Sequence, residues 1–134
     1  MPGEALKPGL KGTAELVVGP EHTAESVGSG KVGVLATPVM INVIEAAALA
    51  AIDPHLPEGH QSLGTHLDVS HIAATPVGMR VRATAELVKV DGRHLVLKVR
   101  AEDEVEEIGS GTHERIIVNV AKFDARVARK VKGD

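Results

Sequence analysis

An α+β fold in one domain is predicted by three observations: a long helical segment that is apolar around its whole circumference, several segments in which apolar and polar residues alternate, and an Asp-Gly turn joining two of those segments. The 134 residues hold no internal repeat and suffice for one core, not two. The domain is expected to span 1–134, with 1–10 as an N-terminal arm and 128–134 as a frayed tail.

Two prolines and two glycines make 1–10 an arm rather than an element. A strand-like pattern over 11–18 ends at Gly19-Pro20, and the polar, glycine-bearing stretch 21–31 reads as a loop, long for a small domain. The next signal is the strongest. Thr37 suits a helix cap, Pro38 the first helical position, and Asp53-Pro54 a stop, so Thr37 to Ile52 forms a helix of about four turns. Between Pro38 and Ile52 only Asn42 and Glu45 are polar. A helix apolar all round has to be buried on all sides.

Four strands are expected after the turn at 53–59, over 61–71, 78–90, 93–103 and 111–127. Met79, Val81, Ala83, Ala85 and Leu87 alternate with Arg80, Arg82, Thr84 and Glu86, and Leu95, Leu97, Val99 and Ala101 repeat the pattern, giving each strand one wet face. Val90-Asp91-Gly92-Arg93 predicts a two-residue, type I′ hairpin, hence antiparallel pairing. The acidic 102–107 makes a solvated turn. Arg126, Arg129, Lys130 and Lys132 fall in the tail. An antiparallel sheet of about five strands then wraps one side of the helix, and a second copy of the chain is the simplest cover for the other side.

Composition excludes several functions. A formal net charge of −3 and a single aromatic residue, Phe123, leave neither a phosphate-neutralising surface nor a stacking platform, so nucleic acid is not an expected partner. No stretch of about 18 uninterrupted apolar residues exists to span a membrane. With no cysteine, and no basic segment leading into an apolar run at the N-terminus, the expected location is the cytoplasm. Gly28-Ser29-Gly30-Lys31-Val32-Gly33 spells GxGxxG, but it neither follows a strand of a βαβ unit nor carries the GK[ST] of a phosphate loop. His55, His60, His66 and His71 lack any standard zinc spacing, so no metal is expected.

Glu45 is the residue that does not fit. An unpaired carboxylate buried in such a helix costs several kcal/mol or takes up a proton, so a bonded structural Glu or a carboxylate lining a site are the two explanations. Thr37 at the helix start lies near exposed backbone N–H groups, a place to hold an oxyanion, although Thr there commonly just caps. His71 closes a strand. Together the three supply hydroxyl, carboxylate and imidazole, the set used in acyl transfer.

The run Val34-Leu35-Ala36-Thr37-Pro38-Val39-Met40, then Glu45, then His71-Ile72-Ala73-Ala74-Thr75-Pro76-Val77-Gly78, resembles the hotdog-fold thioesterases related to fluoroacetyl-CoA thioesterase. The likeness extends over roughly 11–121 and includes the spacings from Thr37 to Glu45 and from Glu45 to His71. It implies a hotdog fold, a homodimer or higher homo-oligomer, and active sites at the dimer interface. It also implies Thr37, Glu45 and His71 as catalytic groups, Gly64 and Arg115 as substrate-binding groups, and no cofactor beyond the coenzyme A of an acyl-CoA substrate. The loop before the helix departs from the specialised enzymes, which have phenylalanines where 27–35 holds only Gly, Ser, Lys, Val and Leu. That implies a general acyl-CoA thioesterase rather than a fluoroacetyl-CoA specialist. An acyl-thioester hydratase or dehydratase, or a non-catalytic acyl-CoA binding module, are the competing functions on the same fold.

Overall fold

The computed structural model describes residues 6–131. Strand β1 (Lys11–Val17) leads through a 3₁₀ turn, Pro20–His22, and one helical turn, α1 (Ala24–Val27), to the long helix α2 (Thr37–Ile52). Strands β2 (His60–His71), β3 (Arg80–Asp91), β4 (His94–Glu102) and β5 (Glu107–Asn119) follow, and helix α3 (Val120–Val131) ends the described chain. The five strands form one antiparallel sheet in the order β1-β3-β4-β5-β2, so β1 and β2 are its edges.

The expected helix is found over its whole length. Its row Met40, Ile44, Ala47, Ala51 is buried against the sheet side chains Val81, Ala83, Ala85 and Leu87 of β3 and Leu95 and Leu97 of β4. The alanines let the backbones approach, and opposite them β1 carries Gly12, where a Cβ would lie 2.3 Å from both Ala47 O and Ala51 N. By length and composition Thr37–His55 could cross a membrane, but this row is the centre of the core.

Within one chain the sheet covers only one side of α2: Pro38, Asn42, Ala46 and Ala50 are exposed and Ile41, Glu45 and Leu49 half-buried. These positions recur every three to four residues, so they form one whole face that the sheet leaves bare. Three expectations need correction. The last strand does not run over 111–127 but from Glu107 to Asn119, where the Asn119 side chain accepts the Lys122 amide at 3.1 Å and starts α3. The expected tail at 128–134 is therefore helical through Val131, and 132–134 lie outside the described residues. The hairpin loop is Gly92-Arg93, since Asp91 pairs with His94. Only Gly92 has positive φ, +60°, which fits a type II′ turn, not type I′.

Smaller differences concern the ends. The 21–31 stretch holds the 3₁₀ turn and α1, the latter capped by Thr23, whose hydroxyl accepts the Ser26 amide at 3.3 Å. The inner end of the arm joins the fold: Leu6 is buried, and Gly9 and Leu10 exchange backbone hydrogen bonds with Leu87. Residues 1–5 of the arm lie outside the described chain. On β2 the pairing with β5 slips between Gly64 and His66, leaving Thr65 as a bulge.

Candidate active site

Two polar clusters lie along α2. The first is at its start. Ala36, in extended conformation, occupies the cap position, and no side chain caps the helix, so Thr37 is the first helical residue and its hydroxyl is free for another partner. That partner is His71 at the end of β2, with Oγ1 and Nδ1 2.7 Å apart. Burial pushes the His71 imidazole below its ordinary value, an effect the Ala73 backbone partly opposes, and its buried Nε2 has no hydrogen-bond partner among the described residues. The ring is therefore neutral at pH 7, and the tautomer sets which of Nδ1 and the Thr37 hydroxyl donates across their contact.

Several backbone bonds fix this pair. Ile72 donates to Ile108 O at 2.7 Å and Leu35 to Thr75 O at 2.9 Å. The fully buried Thr75 hydroxyl donates to Asp103 Oδ2 at 2.9 Å, and Asp103 Oδ1 accepts the Val105 and Glu106 amides. Burial pushes the Asp103 carboxyl up, but those three donors together hold it below the usual carboxylate value. Beside Thr37 and His71 opens a cavity of about 380 Å³, walled by Ile72, Ala73 and Ala74 and covered by Ser29, Gly30 and Val32 of the loop after α1. None of its lining residues is a phenylalanine, tyrosine or tryptophan.

The second cluster surrounds Glu45. Eight residues beyond Thr37, it lies roughly 12 Å further along the helix. Among the described residues no hydrogen bond or ion pair joins it to Thr37 or His71. The isolated buried acid expected from the sequence is not found either, since the Glu45 side chain is 37% exposed and Oε2 lies 3.5 Å from Arg115 Nη1. Arg115, on β5, is itself buried and is held by Ser62, with Nε donating to Oγ at 2.8 Å and Nη2 to the carbonyl at 2.9 Å. Desolvation pulls Arg115 down while Glu45 and Asp53 oppose it, and a guanidinium keeps its charge throughout. Gly64 pairs with Arg115 across the β2–β5 ladder and, with Glu45, Thr65, His66, Leu67 and His113, lines a second cavity of about 240 Å³.

Of the five expected site residues, one chain thus brings together Thr37 with His71, and separately Glu45 with Gly64 and Arg115. His113, fully buried beside Glu45 and Arg115, escaped the sequence reading. Its one sequence signal is position: it shares the inward face of β5 with Arg115 and Ile117.

The absence of a side chain at Gly64 is what admits the Glu45 carboxylate. A Cβ there would stand 2.8 Å from Glu45 Oε2 and 3.0 Å from His113 Cε1. Gly64→Ala is expected to fold, because the flexible end of Glu45 gives way. Turnover is expected to fall about 10- to 100-fold through displacement of the carboxylate. Steady-state kinetics beside a melting curve checks this.

Comparison with known proteins places the chain. The model of the fluoroacetyl-CoA-specific thioesterase family matches residues 18–121. Fluoroacetyl-CoA thioesterase of Streptantibioticus cattleyicolor is 50% identical over 97 residues, covering 72% of this chain and 70% of that protein. The solved structure of fluoroacetyl-CoA thioesterase FlK superposes with a TM-score of 0.89 at 41% identity, over 95% of this chain and 98% of that one. A thioesterase-superfamily member from Thermus thermophilus gives 0.87 at 32% identity, over 98% and 99%. A hot-dog-like protein from Thermanaerovibrio acidaminovorans, at 24% identity, shares the fold with a TM-score of 0.86, over 96% and 95%. The chain therefore belongs to the fluoroacetyl-CoA-specific thioesterase family and is a hotdog-fold thioester hydrolase.

Proposed function

We propose that the protein hydrolyses an acyl-CoA to the free acid and CoA in the cytoplasm, without metal or cofactor, at sites completed between the two chains of a homodimer. The observation that carries this reading is the 2.7 Å contact between the Thr37 hydroxyl and the His71 imidazole at the mouth of a cavity. Support for the second chain comes from the bare face of α2, which carries Glu45 among apolar neighbours, and from the free β2 edge, where Leu63 and Leu67 are 37% and 42% exposed. A partner across that face brings its own Glu45 toward Thr37 and His71, which no single chain does.

In this mechanism the Thr37 oxygen attacks the thioester carbonyl while its proton passes to His71 Nδ1. The Thr37 backbone N–H is the donor left for the oxyanion, since Pro38 has no N–H and the Val39 and Met40 amides both donate to Ala36 O, at 3.1 and 3.0 Å. The carbon–sulfur bond then breaks and the thiolate takes the proton from His71. Glu45 accepts a proton from the water that cleaves the acyl–threonine ester and passes it to the departing Thr37 oxygen, so that the acid is released and both Thr37 and Glu45 are restored. The aromatic-free wall of Ser29, Gly30 and Val32 leaves room for acyl groups larger than fluoroacetyl.

Free-thiol release from a panel of short, long, branched and aromatic acyl-CoAs is the test. The expected result is hydrolysis of several members. Thermal stabilisation by CoA esters without thiol release points instead to a binding module, and enoyl absorbance changing without thiol release to a hydratase; a wholly silent panel sinks the proposal. The active form of His71 is neutral, and burial lowers its pKa. kcat/KM should therefore hold as pH drops through the ordinary histidine range and decline only at the depressed value below it. An acid limb at or above the ordinary value contradicts this.

A further inference from the structure

The buried side chains of the sheet are Val, Ala, Leu and Ile, except for Ser62 on β2 and, on β5, His113 and Arg115 two residues apart. A buried polar group left unpaired costs about 1–3 kcal/mol, so each needs its partners accounted for. For His113 they are complete. Nδ1 lies 2.9 Å from the carbonyl of His66, just past the Thr65 bulge, and Nε2 lies 3.0 Å from Arg115 Nη1. A carbonyl only accepts and a guanidinium only donates. The proton of the ring is therefore on Nδ1, and the lone pair on Nε2 receives Arg115. The same Nη1 is 3.5 Å from Glu45 Oε2. With Nε and Nη2 held by Ser62, the His113 lone pair is the third anchor of the rigid guanidinium and the one that holds Nη1 itself, the nitrogen that faces the carboxylate.

We infer that His113 is a positioning residue of this enzyme, holding Glu45 in its working place through Arg115. The inference rests on the role given to Glu45 above. Burial lowers the His113 pKa chiefly, with the charge of Arg115 adding to it, against opposing effects of the His66 carbonyl, Glu45 and Glu114. The neutral, singly protonated ring that the geometry demands is thus the stable form near pH 7.

Isosteric variants separate the two ring contacts. His113→Gln keeps an acceptor at the place of Nε2 and loses the donor to His66, whereas His113→Asn keeps that donor and loses the acceptor. Expected is a roughly tenfold or greater loss of kcat in His113→Asn with KM nearly unchanged, and recovery of most of it in His113→Gln, as for a misplaced reacting group. In a Glu45→Ala background, His113→Asn should add nothing. A folded His113→Asn with wild-type kcat, or one that lowers activity further in that background, overturns the inference. Glu45→Ala with undiminished turnover overturns the reading of Glu45 itself, so the two failures are distinguishable. Nitrogen-15 shifts of the wild-type ring provide a readout that needs no variant: protonation at Nδ1 alone is expected, and a proton on Nε2 refutes the arrangement.

Discussion

Replacing Glu45 with alanine should lower kcat by roughly 10²- to 10⁴-fold, the usual worth of a positioned acid or base. Thiol release under saturating acyl-CoA measures it, with circular dichroism to confirm the fold. The fold should survive, since Glu45 sits on the half-exposed side of α2, outside the core row, and Arg115 keeps Ser62 and His113 as partners. If Glu45 of one chain serves Thr37 and His71 of another, two inactive proteins should rescue each other. In a mixed dimer of Thr37→Val and Glu45→Ala chains, one site collects both defects and the other neither. Random co-assembly then restores about a quarter of wild-type activity, because half the dimers are mixed and each has one sound site. No restoration in verified mixed dimers means that each site draws all three groups from one chain.

Gly12→Ala should strongly destabilise the fold by driving β1 away from α2. Its Cβ meets Ala47 O and Ala51 N at 2.3 Å and Ala50 C at 2.8 Å, all backbone atoms of α2. A side chain turns aside, but a helix backbone does not, so β1 and α2 have to separate along their whole contact. Overpacking of this kind costs about 3 kcal/mol or more, a large part of the stability of a small domain. The melting temperature is expected to fall on the order of 10 °C or further. Thr13→Ala, on the exposed face of the same strand, is the control. Equal melting of the two variants refutes the close approach.

Elements written in one unambiguous pattern were legible from the residues alone. The apolar run between Pro38 and Asp53 has helix length and helix punctuation, and the alternation in β3 and β4 has period two. The end of the chain was not. Val120, Phe123, Val127 and Val131 follow helical spacing, yet they continue directly from β5, and the short polar side chain that divides the two elements, Asn119, looks like any strand residue until its carbonyl is seen capping Lys122. The site divides likewise. Thr37, Glu45 and His71 stood out as chemistry-bearing groups in unusual places. The gap between Thr37 and Glu45 follows from their spacing on one helix, whereas which of the two His71 meets depends on which way the sheet curls, and core packing decides that. His113 was silent because a histidine facing inward from a strand has the same sequence context as one facing water.

The carboxylate of Asp103 ties the acidic turn between β4 and β5 to the Thr75 hydroxyl, four residues beyond the imidazole. That surface corner therefore works as an anchor post for the reaction loop. Its neighbours Val105 and Glu106 point exposed side chains at solvent, whereas loss of the one aspartate slackens a tether whose far end is the histidine. The reacting pair is thus held in part from a bend that lines neither the cavity beside it nor the one at Glu45.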